Sequence, residues 1–106
     1  MEQQTMNDSA LTPDRLRALL VDFKKRHGEQ YKLRMLGYFG SYARGMATPE
    51  SDVDILFDTD APNLFMTAMM KQDLEKFLGC PVDVLQVRGL TNQRLKERIE
   101  KEAVYV

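Results

Sequence analysis

A single cysteine, Cys80, stands among 106 residues, so no internal disulfide can form, and a reducing compartment fits best. Long apolar runs are missing too. No segment approaches the length of a membrane span, and the opening residues MEQQTMNDSA are polar with no apolar signal core, so a cytoplasmic protein with no membrane partner is expected. Charge of one sign is likewise lacking: 15 Lys and Arg against 16 Asp and Glu leave a formal charge of −1. The basic residues are scattered rather than blocked, which argues against a sequence-independent nucleic-acid binder and leaves no direct nucleic-acid contact expected. No internal repeat or low-complexity tract is present. What remains is ordinary: 43% apolar and 29% charged residues describe one globular domain with no room for a second. Any activity must use one compact site or borrow parts from a partner.

The pattern along the chain predicts alternating helices and strands. Residues 1–11 read as a loose, flexible tail, and residues 12–106 as the domain. Thr12-Pro13-Asp14 is a helix start, with a capping hydroxyl, a proline in the first turn and an acid near the positive helix end. Leu16, Leu19, Leu20 and Phe23 follow at helical spacing, and Gly28 is a stop. The lone His27 falls at this helix's C-terminus, where a solvent-exposed or capping role is expected. Tyr31–Phe39 is strand-like and ends in Gly40-Ser41. Ser51–Phe57 is a second strand, closed by a polar turn through Asp58, Asp60 and Pro62. Asn63–Leu78 reads as a helix ended by Gly79-Cys80-Pro81, Val82–Val87 as a third strand, and the segment from Thr91 as a charged helix. That last helix carries Leu95 and Ile99 on one side and runs into an apolar end, Ala103-Val104-Tyr105-Val106. The short link from Ser41 to Ser51 implies antiparallel pairing of the first two strands, while the long helix before the third allows a parallel crossover. The expectation is therefore an α/β (α+β) fold with a small mixed three-stranded sheet flanked by helices, in the order α-β-(short α)-β-α-β-α.

Three acids in otherwise apolar strands are the anomaly. Asp52 and Asp54 are two apart, so their side chains leave the same face of a strand, while Val53, Ile55 and Phe57 can enter the core. Asp83 lies between Val82 and Val84 and also faces away from its apolar neighbours. Adjacent strands would bring the three together, and like charges so close resist joint ionisation. A hard divalent cation such as Mg²⁺ or Mn²⁺ relieves that conflict. Upstream, Gly40 allows close backbone approach, and Ser41 adds a hydroxyl beside the following N–H groups. A short helix over Ser41-Tyr42-Ala43-Arg44 would make those groups an anion site. Arg44 can either add a charge for phosphate or pair with an acid.

The spaced set Gly40-Ser41-Tyr42-Ala43-Arg44-Gly45, Ser51-Asp52-Val53-Asp54-Ile55-Leu56 and Pro81-Val82-Asp83-Val84-Leu85 resembles the signature of the DNA polymerase beta-like nucleotidyltransferase superfamily. The chain length resembles the MNT (minimal nucleotidyltransferase) proteins encoded beside HEPN-domain partners. The resemblance implies a metal-dependent transfer from a nucleoside triphosphate, with ATP the family's donor. Gly40 and Ser41 would hold the triphosphate, with Arg44 beside them. Asp52 and Asp54 would ligate two metal ions, and Asp83 would complete the second ion's shell or act as base for the acceptor hydroxyl. It further implies a HEPN ribonuclease toxin as partner and a tyrosine of that toxin as acceptor.

The helix over residues 63–78 adds a pointer to partners. Met70, Leu74, Phe77 and Leu78 make a core stripe, while Phe65, Met66 and Met69 widen it. Either a small core wraps a wide helix face, or the surplus is a surface for a hetero-oligomer. Two other functions stay open beside the AMP-transferring antitoxin. One is a non-catalytic antitoxin that inhibits by stoichiometric binding; the other is an aminoglycoside-type nucleotidyltransferase with a separate substrate-binding subunit.

Overall fold

The strand Val53–Thr59 runs through the middle of the domain because its alternation serves two cores at once. In a computed structural model that describes residues 11–106, Val53, Ile55 and Phe57 point into one apolar cluster and Leu56 into another on the opposite face. We label the elements α1 (Pro13–His27), β1 (Leu33–Phe39), β2 (Val53–Thr59), α2 (Leu64–Leu78), β3 (Val82–Gln86), α3 (Gln93–Glu102) and β4 (Val104–Tyr105). A single 3₁₀ turn, Val87–Gly89, leads from β3 towards α3. The sheet order is β3-β2-β1-β4, with β2 antiparallel to β1 and parallel to β3.

Local chemistry sets the helix ends. Thr12 Oγ1 accepts the N–H of Arg15 at 3.1 Å to cap α1, and Asn63 accepts the N–H groups of Phe65 and Met66 to cap α2. Gly79, at φ 76°, closes α2 in the left-handed conformation that glycine adopts without a Cβ penalty. Asn92 caps α3 through the N–H of Leu95. Helices α1 and α2 cover one sheet face, burying Leu16, Leu20, Phe23, Met70, Leu74 and Leu78. Helix α3 covers the other face, with Ile99 against Leu56 and Val87. Each fully buried aliphatic or aromatic side chain contributes about 1.5–3 kcal/mol through burial, so the two faces together hold the small sheet.

The expected α/β fold stands, with differences of detail. The apolar end read as the tail of the last helix forms a fourth strand. Ala103 turns out of the helix to φ −66°, ψ 146°, and Val104 and Tyr105 pair with Tyr38 and Gly37. A Cβ on Gly37 would lie 2.6 Å from the Val104 carbonyl oxygen, so the bare position lets β4 approach. Val106 then donates its N–H to Leu36 and accepts from Lys24 Nζ, each at 2.9 Å, tying the chain end to both β1 and α1. The short helix expected after β1 is one turn only: Arg44 N–H reaches Gly40 O at 3.0 Å, and Gly45 at φ 71° ends it. Tyr31, expected to start β1, precedes it in a turn, since Lys32 at φ 51° breaks extended backbone. The tail expected over residues 1–11 lies outside the described residues except for Leu11, which packs against the core.

His27 keeps an exposed edge at the helix end, where Nδ1 meets Gln30 Oε1 at 3.0 Å, but the residue is half-buried. Its ring lies 4.7 Å from that of Phe23 and edge-on to Phe77 at 6.4 Å, so it belongs to the aromatic packing between α1 and α2.

Candidate active site

Alternation along β2 that sends Val53 and Ile55 into the α1–α2 core sends Asp54 to the α3 side of the sheet. Asp54 sits directly across from Asp83 on β3 and from Phe39 on β1. Asp52 lies just ahead of β2 and is exposed, as is Asp83, whereas Asp54 is partly buried. Burial, followed by the negative charges of Asp83 and Asp52, pushes the Asp54 carboxyl above its ordinary range; Arg44 offsets part of that rise and Glu102 adds to it. Among the described residues, no salt bridge engages Asp52, Asp54 or Asp83. Cys80 is a bystander, its thiol pushed up first by burial and then by Asp52 and Glu75, which suppresses the reactive thiolate.

At the end of β1 the backbone turns sharply around Gly40, at φ 73°. A Cβ there would stand 2.2 Å from Asp54 Oδ2. The glycine thus makes room for the acid as well as for a ligand, a requirement that follows only from the β1–β2 register. Tyr42, 4% exposed, anchors the turn in the core. Ser41 is partly buried, and among the described residues the N–H groups of Ser41, Tyr42 and Ala43 have no hydrogen-bond partner. Arg44 is exposed and bonded to Glu102, its Nη1 donating to Oε1 at 3.0 Å.

Glu102 is the residue sequence reasoning missed. Its second carboxylate oxygen accepts the N–H of Gly40 at 2.7 Å. Those contacts, Gly40 first and Arg44 after it, hold the carboxyl below its ordinary range. The available signal was its helical position: Glu102 falls three residues after Ile99, on the stripe of α3 that faces the sheet, where an acid is out of place. A cleft of about 260 Å³ joins Gly40, Arg44 and Asp54 to Leu95, Arg98, Ile99 and Glu102 of α3.

The structure therefore brings Gly40, Arg44 and Asp54 to one cleft, with Ser41 next in the turn and Asp83 beside Asp54. Asp52 stands outside the cleft's lining. Among the described residues, no three acidic, thiol or imidazole groups converge closely enough to hold one ion together. The donor set fits a hard cation even so. It consists of carboxylate oxygens from cross-strand neighbours, and among the described residues no salt bridge relieves their mutual repulsion.

Comparison with known proteins places these elements in a wider group. The sequence profile described as the nucleotidyltransferase domain matches residues 16–106. The protein adenylyltransferase MntA of Thermococcus cleftensis is 36% identical over 97 residues, 91% of this chain and 97% of that one. A candidate protein adenylyltransferase of Methanocaldococcus jannaschii is 35% identical over 98 residues, 90% of this chain and 98% of the relative. Among solved structures, one described as a candidate minimal nucleotidyltransferase superposes with a TM-score of 0.76 at 33% identity, covering 91% of this chain and 97% of its own. A toxin–antitoxin crystal structure with AMP-PNP shares the fold at a TM-score of 0.65 and 23% identity, covering 90% of this chain and 72% of its own. Among the described residues, no helix is long and apolar enough to cross a membrane.

Proposed function

Because this chain belongs to the nucleotidyltransferase domain family, we propose that it transfers AMP from ATP to a hydroxyl of a partner protein, a tyrosine of a HEPN ribonuclease toxin, and so acts as an antitoxin. The observation that carries this reading is the cross-strand pair Asp54–Asp83 set beside the glycine turn at Gly40. Relatives named protein adenylyltransferase support the chemistry, and a fold neighbour solved as a toxin–antitoxin assembly supports the partner class. An ATP donor and a protein acceptor fit a cytoplasmic location, with residues 12–106 acting as one transferase domain.

Asp52, Asp54 and Asp83 would hold Mg²⁺ or Mn²⁺, two ions in the family's manner, and the metal would supply charge stabilisation on the transferring and leaving phosphoryl oxygens. The chain's own part is orientation. Gly40 and Ser41 hold the β- and γ-phosphates through backbone N–H groups and the serine hydroxyl, and Arg44 adds a positive charge beside them. That anchoring leaves the α-phosphorus facing the acceptor. The acceptor oxygen bonds to the α-phosphorus, the bond from that phosphorus to the β-bridging oxygen breaks, and pyrophosphate carries away the electron pair. Asp83, exposed at the head of β3, either accepts the acceptor's proton or completes the metal shell. In either role it lies across from Asp54.

One observation favours a second reading, an antitoxin that works by binding alone. Leu64 is 89% and Phe65 73% exposed, with Met69 one turn further along α2 also exposed, an apolar patch suited to a protein surface. It supports a hetero-oligomer through the 63–78 helix under both readings. The variant Asp52→Ala, Asp54→Ala separates them. The catalytic account expects this double variant to bind the toxin but leave it active and free of AMP. Full neutralisation by the double variant would leave binding as the mechanism.

A further inference from the structure

The last residue of α3 occupies the place that the proposed reaction gives to phosphate. Glu102 accepts from Gly40 N–H at 2.7 Å through one carboxylate oxygen and from Arg44 Nη1 at 3.0 Å through the other. A backbone N–H and a guanidinium converging on one anion is the arrangement by which proteins hold phosphate oxygens. The same two donors, Gly40 before Arg44 and aided by the positive charge of Arg98, outweigh burial and hold the Glu102 carboxyl below its ordinary range. The side chain is 24% exposed, so it can leave without unfolding. Its backbone is pinned, since β4 follows immediately and pairs with β1; side-chain rotation alone would free the donors. Arg98, one turn earlier on the same helix and lining the same cleft, is the i−4 partner available to a displaced carboxylate.

We propose that Glu102 is a resident substitute for phosphate in this cradle, and that nucleotide binds by displacing its carboxylate from Gly40 and Arg44. Glu102 thereby sets the affinity of the site for the triphosphate, and its return competes with pyrophosphate for the same donors. The inference rests on the reading that the triphosphate lies against Gly40, Ser41 and Arg44.

The test uses Glu102→Gln, which keeps size and an acceptor oxygen but removes the charge, and Glu102→Asp, which keeps the charge but is one methylene too short to bridge both donors. The probe is the Mg²⁺ complex of an ATP analogue with a methylene in place of the α,β-bridging oxygen, which cannot be cleaved at the reacting bond. Calorimetry should show the Gln variant binding about three- to tenfold tighter than wild type, in line with the loss of a partly exposed competing ion pair, and the Asp variant in between. In amide NMR spectra the Gly40 signal should differ between free wild type and the free Gln variant, then converge once the analogue is bound. Equal or weaker binding by both variants, with wild type binding normally, overturns the role of Glu102. Absence of binding in wild type and both variants instead rejects the nucleotide reading, and the inference falls with it.

Discussion

The two ends of β2 carry acids in nearly the same pattern and use them in opposite ways. At the far end, Asp58 accepts from Arg88 Nε at 2.9 Å and from its neighbour's N–H at 3.0 Å. Asp60 meets Arg34 at 3.4 Å, and buried Thr59 donates its hydroxyl to Tyr31 O at 2.8 Å. The near end holds Asp52 and Asp54, with Asp83 alongside, and among the described residues none of the three has a cationic partner. Arg44, whose charge reaches Asp54, is bonded to Glu102 instead. Paired acids hold a strand in place; acids crowded together without a counter-charge make a place for an added cation. One strand thus shows, a few residues apart, what paired acids and unpaired acids look like.

The sharpest way to break this comparison is to neutralise the near end. Asp54→Asn or Asp83→Asn should lower the rate of AMP transfer about 10³-fold, the scale of several kcal/mol of lost transition-state charge stabilisation. Thermal melts of metal-free Asp54→Asn add the opposite sign. Burial and its acidic neighbours raise the Asp54 pKa in the folded state, so the native protein binds the extra proton. Stability is therefore lost as pH rises from the unfolded value through the raised folded one. The variant escapes that loss, and its advantage over wild type should grow with pH through this window. A drop in melting temperature for the variant would show that Asp54 is structural after all.

Next in size is Gly40→Ala. The added Cβ would collide with Asp54 Oδ2, and the residue would keep a positive φ; the left-handed backbone alone costs about 1–2 kcal/mol. Transfer should fall about 10²-fold, with a lower melting temperature, as both assays would record. The smallest effect belongs to the far end. Arg88→Ala removes the partner of Asp58 and should cost about 0.5–1 kcal/mol in denaturant unfolding, with transfer unchanged. Impaired transfer in that variant would erase the distinction between the two ends.

How much of this was legible in the sequence depends on how local the cause was. Caps at Thr12, Asn63 and Gly79 act within one turn, and the alternation of Val53, Ile55 and Phe57 names its own buried face, so α1, β2 and α2 were readable. Strand β4 was not, because two residues carry no periodicity and its pairing with Gly37 and Tyr38 is a property of the distant strand. Asp58 and Asp60 read as turn acids, and their arginine partners emerge only once β1 and the turn after β3 flank β2. At the site, the positions of Gly40, Asp54 and Asp83 followed from spacing and parity. Glu102 stayed hidden since the N–H it binds lies 62 residues away, and no local pattern links them. The second purpose of Gly40, room for the Asp54 carboxylate, needed the register of β1 against β2.

The central claim is that the near end of β2 is built for nucleotidyl transfer, and the fate of labelled phosphate tests it most directly. With the partner toxin, Mg²⁺ and ATP labelled at the α-phosphate, label should become fixed on the partner, while γ-labelled ATP should release its label as pyrophosphate. Asp54→Asn and Asp83→Asn should slow both about 10³-fold. Label transferred to the partner from the γ-position, or α-label transferred at the wild-type rate by both variants, would contradict the account.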